Sequence, residues 1–178
     1  AEIRFEDMEV TGDAAVIPPR GFAKGFADLM NAYNTQRIGA ATVALGIAQG
    51  AYEEGLTYTK EREQFGRLIG SFQAVKHMCA EMAARHEPCR SLVWYAAHAF
   101  DSIPEDASIF ACHAKSHTGE VHRFVARTST EVHGGMGFTD LIGLHYWFKR
   151  IGFDRQVLGG PETVRAEAAA LQGWIKAA

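Results

Sequence analysis

Tyr58-Thr-Lys-Glu-Arg62-Glu-Gln-Phe65-Gly66 and, far downstream, Glu131-Val-His-Gly134-Gly135-Met-Gly137-Phe138 decide how this chain reads. Each is a charged or aromatic cluster joined to glycines, at the end of a long segment with helical periodicity. Backbone without a Cβ brings N–H groups close to a ligand. Beside an arginine and aromatic rings, such stretches suit a phosphate-bearing, flat-ringed cofactor. Taken alone, Arg62 reads as a surface ion pair with Glu61 or Glu63, although its fixed guanidinium fork also suits a diphosphate. Phe65 alone reads as core. The two clusters in one helical chain shift both readings toward a ligand.

Working outward, apolar residues recur at three and four from Phe22 onward, which is helical spacing. A first very long helix carries Phe26, Leu29, Ile38, Val43 and Ile47 and ends near Gly55 to Lys60, with Ala and Gly positions that favour close packing. A second is expected from about Ser71, whose hydroxyl can cap it, to Phe100, with Pro88 inside as a source of bending. After a turn at Asp101 to Asp106, a third runs from Ala107 to His133 and is ended by Gly134 and Gly135. A shorter helix is expected around Asp140 to Arg150. A last one is expected from Pro161 to Lys176, with Pro161 and Glu162 suited to a helix start. These elements form an antiparallel helical bundle.

The opening is different. Ile3, Phe5, Met8 and Val10 interleave with Glu2, Arg4, Glu6 and Glu9, the alternation of a half-buried strand, before a loop holding Gly12, Pro18, Pro19 and Gly21. A lone strand is not stable in water. The expectation is therefore that residues 1–20 are the tail of a preceding β domain with its linker, and that 21–178 are the bundle.

At 178 residues, 47% hydrophobic and 22% charged, the chain supports one full core. A net charge of −3 with eighteen scattered Lys and Arg gives no polyanion signal, so nucleic acid is not an expected partner. Cys79, Cys89 and Cys112 lack CxxC spacing and read as core thiols in a reducing compartment. No apolar run spans a bilayer and no signal peptide opens the chain, so a soluble, cytoplasmic protein is expected. Glu-x-x-His is absent, and His113 and His117 share a helix face without a third ligand, so no metal is expected. The phosphate loop, Gly-x-Ser-x-Gly and the strand-borne dinucleotide fingerprint are absent too.

With Asn34-Thr-Gln-Arg37, Arg62-Glu-Gln-Phe65-Gly66-x-x-Ile69, Phe72-Gln73 and His133-Gly134-Gly135-Met-Gly137-Phe138 in this order, the chain resembles the C-terminal domain of the acyl-CoA dehydrogenase family over nearly its whole length. The resemblance implies an all-α, antiparallel up-down four-helix-type bundle with a short N-terminal strand left from a β domain. It implies an FAD-dependent enzyme that forms an α,β double bond in a CoA thioester, works as a homo-oligomer (dimer or homotetramer), and can pass electrons to an acceptor flavoprotein. Arg62 would bind the pyrophosphate of a neighbouring subunit's FAD, with Gln64, Phe65 and Gln73 near it. Glu131, Gly134 and Gly135 stand where the family contacts the adenosine half, but Glu131 departs from the usual glutamine, and a carboxylate cannot donate. Arg37 would lie near the acyl-CoA.

The family's reaction needs a carboxylate base. One familiar position falls on Gly159 within Leu158-Gly159-Gly160-Pro161-Glu162, and the other, on the first long helix, falls on Gln36. Neither side chain can abstract a proton, and Glu162 would need a shifted register. Three readings follow: a dehydrogenase whose base is elsewhere, a non-catalytic FAD-holding subunit of a heteromeric dehydrogenase, or a branch with altered chemistry on a CoA thioester. The 3-sulfinopropionyl-CoA desulfinases, which resemble the fold without its catalytic glutamate, exemplify the last.

Overall fold

The computed structural model describes residues 2–18 and 20–175. They fall into two units divided after Ala32. In the first, the alternating stretch from Ile3 to Val10 forms no strand. Among the described residues no second strand lies beside it, and an unpaired strand has nothing to satisfy its ladder groups. Ile3, Phe5, Met8 and Val10 are exposed. Turns close at Thr11 to Ala14 and Pro18 to Gly21, and Arg20 pairs with Asp28. Pro19, expected in this loop, lies outside the described residues.

The fold is all-α. Helix α1 (Phe22–Glu61) is followed by a two-residue antiparallel pair, β1 (Glu63–Gln64) and β2 (Arg67–Leu68). Then come α2 (Gln73–Ser102), α3 (Ala107–Val132), α4 (Leu144–Gln156) and α5 (Pro161–Leu171). Three expected boundaries are corrected. Ser71 does not cap α2: it closes a 3₁₀ turn, donating to the Leu68 carbonyl at 2.7 Å, and α2 starts after Phe72 without a side-chain cap. The fourth helix begins at Leu144 rather than near Asp140, because Gly134–Phe138 follows a 3₁₀ course and Gly143 is left-handed (φ +74°). The last helix ends at Leu171, and Lys176 lies outside the described residues. Pro88 is inside α2, where it removes one helical donor.

Core membership gives the helix directions. Ile38 and Ala41 pack with Val93, Ala96, Ala111 and Ala114, while Leu45, Ala48 and Ala51 pack with Met82, Cys89, Val121 and Val125. Numbers that rise along α1 and α3 fall along α2, so α2 runs antiparallel to both. Alanines on α1 bring the backbones near enough for Ser129 to donate to the Ala51 carbonyl at 2.7 Å. Asn34 reaches Ser108 at 3.0 Å at the other end. Fully buried side chains such as Met82, Val125 and Ile151 each stabilise by about 1.5–3 kcal/mol. The three thiols are free and buried. Burial pushes Cys89 and Cys112 up to about 11 and raises Cys79.

Candidate functional site

Arg62 follows the last residue of α1 and opens the β1–β2 hairpin, whose tip is Phe65-Gly66. Both tip residues are left-handed, φ +56° and +75°, as a two-residue turn with the twist of its strands requires. For a phenylalanine this backbone costs on the order of 1–3 kcal/mol, yet its ring is 92% exposed. The strain therefore serves no core contact beyond an edge-on approach to Phe72, centroids 6.2 Å apart. The Arg67 guanidinium lies 3.9 Å over the same Phe72 ring and holds the hairpin against the start of α2.

The end of α3 supplies the facing wall. The His133 ring stacks on Tyr58 at 4.2 Å, and its Nδ1 donates to the Ser129 carbonyl at 2.7 Å. That leaves Nε2 as an acceptor, buried and without a partner among the described residues. Gly134, at φ +58°, ends the helix, and Gly137 packs against the Thr130 carbonyl so closely that no Cβ fits. Gly135 has neither constraint, and its missing side chain leaves open space.

An open cavity of about 570 Å³ joins the two walls, gathering Arg62, Gln64 and Phe65 with Glu131, Gly134 and Gly135. Gln73 is exposed at the first turn of α2 and does not line it. Arg62 makes no ion pair with Glu61 or Glu63 among the described residues, so its charge is available to the cavity. Glu131 accepts from Arg127 at 2.9 Å, an i,i+4 pair that sets donors beside the carboxylate. A free guanidinium, an exposed ring, a buried unpartnered acceptor and a glycine with empty space fit a nucleotide bearing phosphate and a flat ring.

A second locus lies where α1, α3 and α5 meet. Arg37 is bidentate to Glu167, Nη1 to Oε1 at 2.8 Å and Nη2 to Oε2 at 2.7 Å. It also donates to Asn34 Oδ1 at 2.7 Å and to the Leu158 carbonyl at 3.0 Å. The guanidinium expected near the acyl-CoA is thus largely committed to protein partners, because α5 brings a carboxylate to it. Gln36, the adjacent position, is exposed. Leu158 and Gly159 are both left-handed, φ +60° and +107°, and a Cβ on Gly159 would stand 2.9 Å from Val164 Cγ2. Glu162 is tied to Arg155 at 2.6 Å. Its carboxyl is held below the usual range by its own backbone amide and by Arg155. Neither nearby carboxylate is free to act as a base.

Lys115 of α3, only 1% exposed, donates from Nζ to the carbonyls of Asp154 and Arg155 at 3.0 Å each and of Gly159 at 3.3 Å. Burial, followed by the Arg37 charge, pushes its ammonium down to about 8, with Asp154 opposing and Arg155 adding.

The chain matches the family model described as acyl-CoA dehydrogenase, C-terminal domain, over residues 23–171. It belongs to the acyl-CoA dehydrogenase family. A 3-sulfinopropanoyl-CoA desulfinase of Paraburkholderia xenovorans (strain LB400) is 48% identical over 139 residues, 78% of this chain and 35% of that protein. The caffeyl-CoA reductase-Etf complex subunit CarC of Acetobacterium woodii (strain ATCC 29683 / DSM 1030 / JCM 2381 / KCTC 1655 / WB1) is 37% identical over 115 residues, 65% of this chain and 30% of that protein. Butyryl-CoA dehydrogenase from Megasphaera elsdenii shares the fold at a TM-score of 0.79 and 27% identity, over 84% of this chain and 39% of that one. The chain spans about a third of the length of these curated relatives.

Within this family domain, Tyr58, His133, Lys115 and Glu167 are the site-forming residues that sequence reasoning did not single out. Tyr58 and His133 stand inside the two glycine-linked clusters, so their stacking was open to suggestion from position. Lys115 and Glu167 carry no local signal, since a lysine or glutamate in a periodic helix reads as its solvated face.

Proposed function

We propose that this chain is the C-terminal domain of an FAD-dependent flavoprotein that removes the sulfino group from a CoA thioester bearing it at carbon 3. The observation that carries the reading is the pair of base positions: Gln36 is neutral, and Gly159 has no side chain and a backbone conformation, φ +107°, that suits only glycine. Dehydrogenation requires removal of an α proton, whereas desulfination does not. In the latter the carbon–sulfur bond breaks, water supplies a proton to the carbon and hydroxide to the sulfur, and a saturated thioester and hydrogensulfite result without net electron transfer to an acceptor. The similarity to a protein named as a desulfinase supports the same choice.

Arg62 is assigned to the FAD pyrophosphate of a neighbouring subunit, with Gln64 and Phe65 beside it and Gln73 at the start of α2 adding to its polar surroundings. Glu131, with Arg127, and Gly134 and Gly135 are assigned to the adenosine half, where His133 Nε2 accepts a hydrogen bond. When bound, FAD supplies two-electron redox chemistry at its ring system. Arg37 acts from behind the thioester site, fixing the Leu158 carbonyl. A homo-oligomer, dimer or tetramer, follows from the shared FAD site, and the three free thiols fit a reducing, cytoplasmic setting.

The second reading, α,β-dehydrogenation with electrons passed to an acceptor flavoprotein, is favoured by the likeness to butyryl-CoA dehydrogenase and to an Etf-complex subunit. Anaerobic titration of the full-length, FAD-loaded protein with saturated acyl-CoA separates the two. Desulfination predicts a flavin that stays oxidised, and bleaching by any saturated acyl-CoA would overturn it.

A further inference from the structure

The loop between α4 and α5 has two successive left-handed residues, Leu158 at φ +60° and Gly159 at φ +107°. A leucine is not placed there by its own preference. Two cations from other helices hold the loop: Arg37 Nε bonds to the Leu158 carbonyl at 3.0 Å, and Lys115 Nζ bonds to the Gly159 carbonyl at 3.3 Å. Lys115 also takes the carbonyls of Asp154 and Arg155 at 3.0 Å each. These belong to the last turn of α4, where helix carbonyls have no partner of their own and the negative end of the helix dipole favours a cation.

An ammonium has three donors and no acceptor, so its three carbonyls use it completely. No carboxylate oxygen bonds to it among the described residues; the nearby Asp154 carboxylate turns to Arg150 at 3.0 Å. A charge nearly without exposure is costly to bury unless it has a structural return. Here the return is that the end of α4 and the turn before α5 are tied to one atom.

We propose that Lys115 is a positioning residue for the thioester site: its ammonium ties the Gly159 carbonyl to the end of α4 and fixes the loop in the left-handed course that keeps position 159 free of a side chain. This rests on the reading that Gly159 borders the thioester. Lys115 does not touch the substrate. It acts through the loop, setting how closely backbone at 159 approaches the carbon chain, and Arg37 secures the neighbouring peptide. A methionine at 115 fills similar volume and cannot donate. An arginine keeps the charge and the donors.

The test uses the full-length, FAD-loaded protein with Lys115→Met and Lys115→Arg. Lys115→Met is expected to lower kcat by about 10²-fold, as a small misplacement at a reacting centre does, with KM little changed and FAD retained. Amides of residues 157–160 should exchange faster while those of the 62–68 hairpin do not, and Lys115→Arg should restore part of kcat. Unchanged kcat, or a loss matched by release of FAD and faster exchange throughout, would overturn the positioning role. Should Lys115→Met not fold, Lys115→Gln, which keeps an amide donor but loses the charge and cannot serve all three carbonyls, is expected to give the same exchange pattern more weakly, and an unchanged loop would overturn the tie. In the wild type, 3-sulfinopropanoyl-CoA should slow exchange at 157–160. Absence of that protection, with the Lys115→Met effect on exchange intact, would overturn the site reading and not the tie.

Discussion

Arg37 and Gly159 are neighbours across the α1–α5 seam: Arg37 Nη2 lies 3.8 Å from where a Cβ on Gly159 would stand, and Arg37 Nε holds the preceding carbonyl, that of Leu158, at 3.0 Å. The base position proposed at residue 159 is thus a backbone segment pinned by a cation. Placing a carboxylate there has a steric cost. Gly159→Glu places a Cβ 2.9 Å from Val164 Cγ2 on backbone at φ +107°, and is expected to destabilise by about 1–3 kcal/mol. Gln36→Glu, on an exposed helical face, is expected to change stability by less than about 0.5 kcal/mol. Thermal unfolding of the two variants checks the contrast. Proton exchange at the acyl-CoA α carbon should rise above background in Gln36→Glu if that position faces the substrate, and no rise in either variant would remove both positions from the site.

Arg62 is exposed and makes no ion pair among the described residues. Arg62→Gln should therefore leave unfolding unchanged while weakening FAD retention. Loss of a charged hydrogen bond costs about 1.5–3 kcal/mol, roughly ten- to a hundredfold in affinity. Flavin released on dilution, measured by its fluorescence, reads this directly. Retention equal to wild type would mean that Arg62 does not meet the phosphates.

The Arg37–Glu167 pair is a different case, with Arg37 only 12% exposed along its side chain. Glu167→Gln leaves a largely buried guanidinium short of its counter-charge and should destabilise by about 1–3 kcal/mol. Glutamine keeps one acceptor, so the loss should be smaller than for Glu167→Ala, and chemical denaturation of the three proteins orders them.

His122 is fully buried, and neither ring nitrogen has a partner among the described residues. Burial, then the charges of His86 and His117, push it down to about 3. His86, bonded to Gln49, is lowered as well, first by burial and then by the Arg90 charge, with Glu87 and Glu53 opposing. An unfolded histidine titrates near 6.5. Below that value the unfolded chain takes up a proton that the folded chain refuses, so stability falls as pH drops from about 6.5 toward about 3. His122→Leu should flatten this slope, leaving the part due to His86, and should raise neutral-pH stability by on the order of 1 kcal/mol. Denaturant midpoints measured across this pH range check both effects.

The long helices were legible because each carries its apolar stripe through many turns, and the end of α3 because Gly134 is a left-handed stop. The gathering of Arg62 and Phe65 with Gly134 and Gly135 was legible because each half is a compact run of sequence. The strand expected from Ile3 to Val10 was not formed, since alternation describes a face and cannot supply a neighbour. Ser71 looked like a cap, but the 3₁₀ turn at Ile69–Ser71 took its hydroxyl. Lys115 could not be read at all. Its partners are carbonyls 39 to 44 residues away, and carbonyls leave no mark in a sequence.

Desulfination and dehydrogenation differ most plainly in whether the flavin's electrons are left in balance. The direct measurement is anaerobic incubation of the full-length, FAD-loaded protein with 3-sulfinopropanoyl-CoA, without an electron acceptor, following sulfite and thioester together. The prediction is one sulfite for each saturated thioester formed, over many turnovers, with the flavin spectrum unchanged at the end. No sulfite, together with an unsaturated thioester and a bleached flavin, would contradict it.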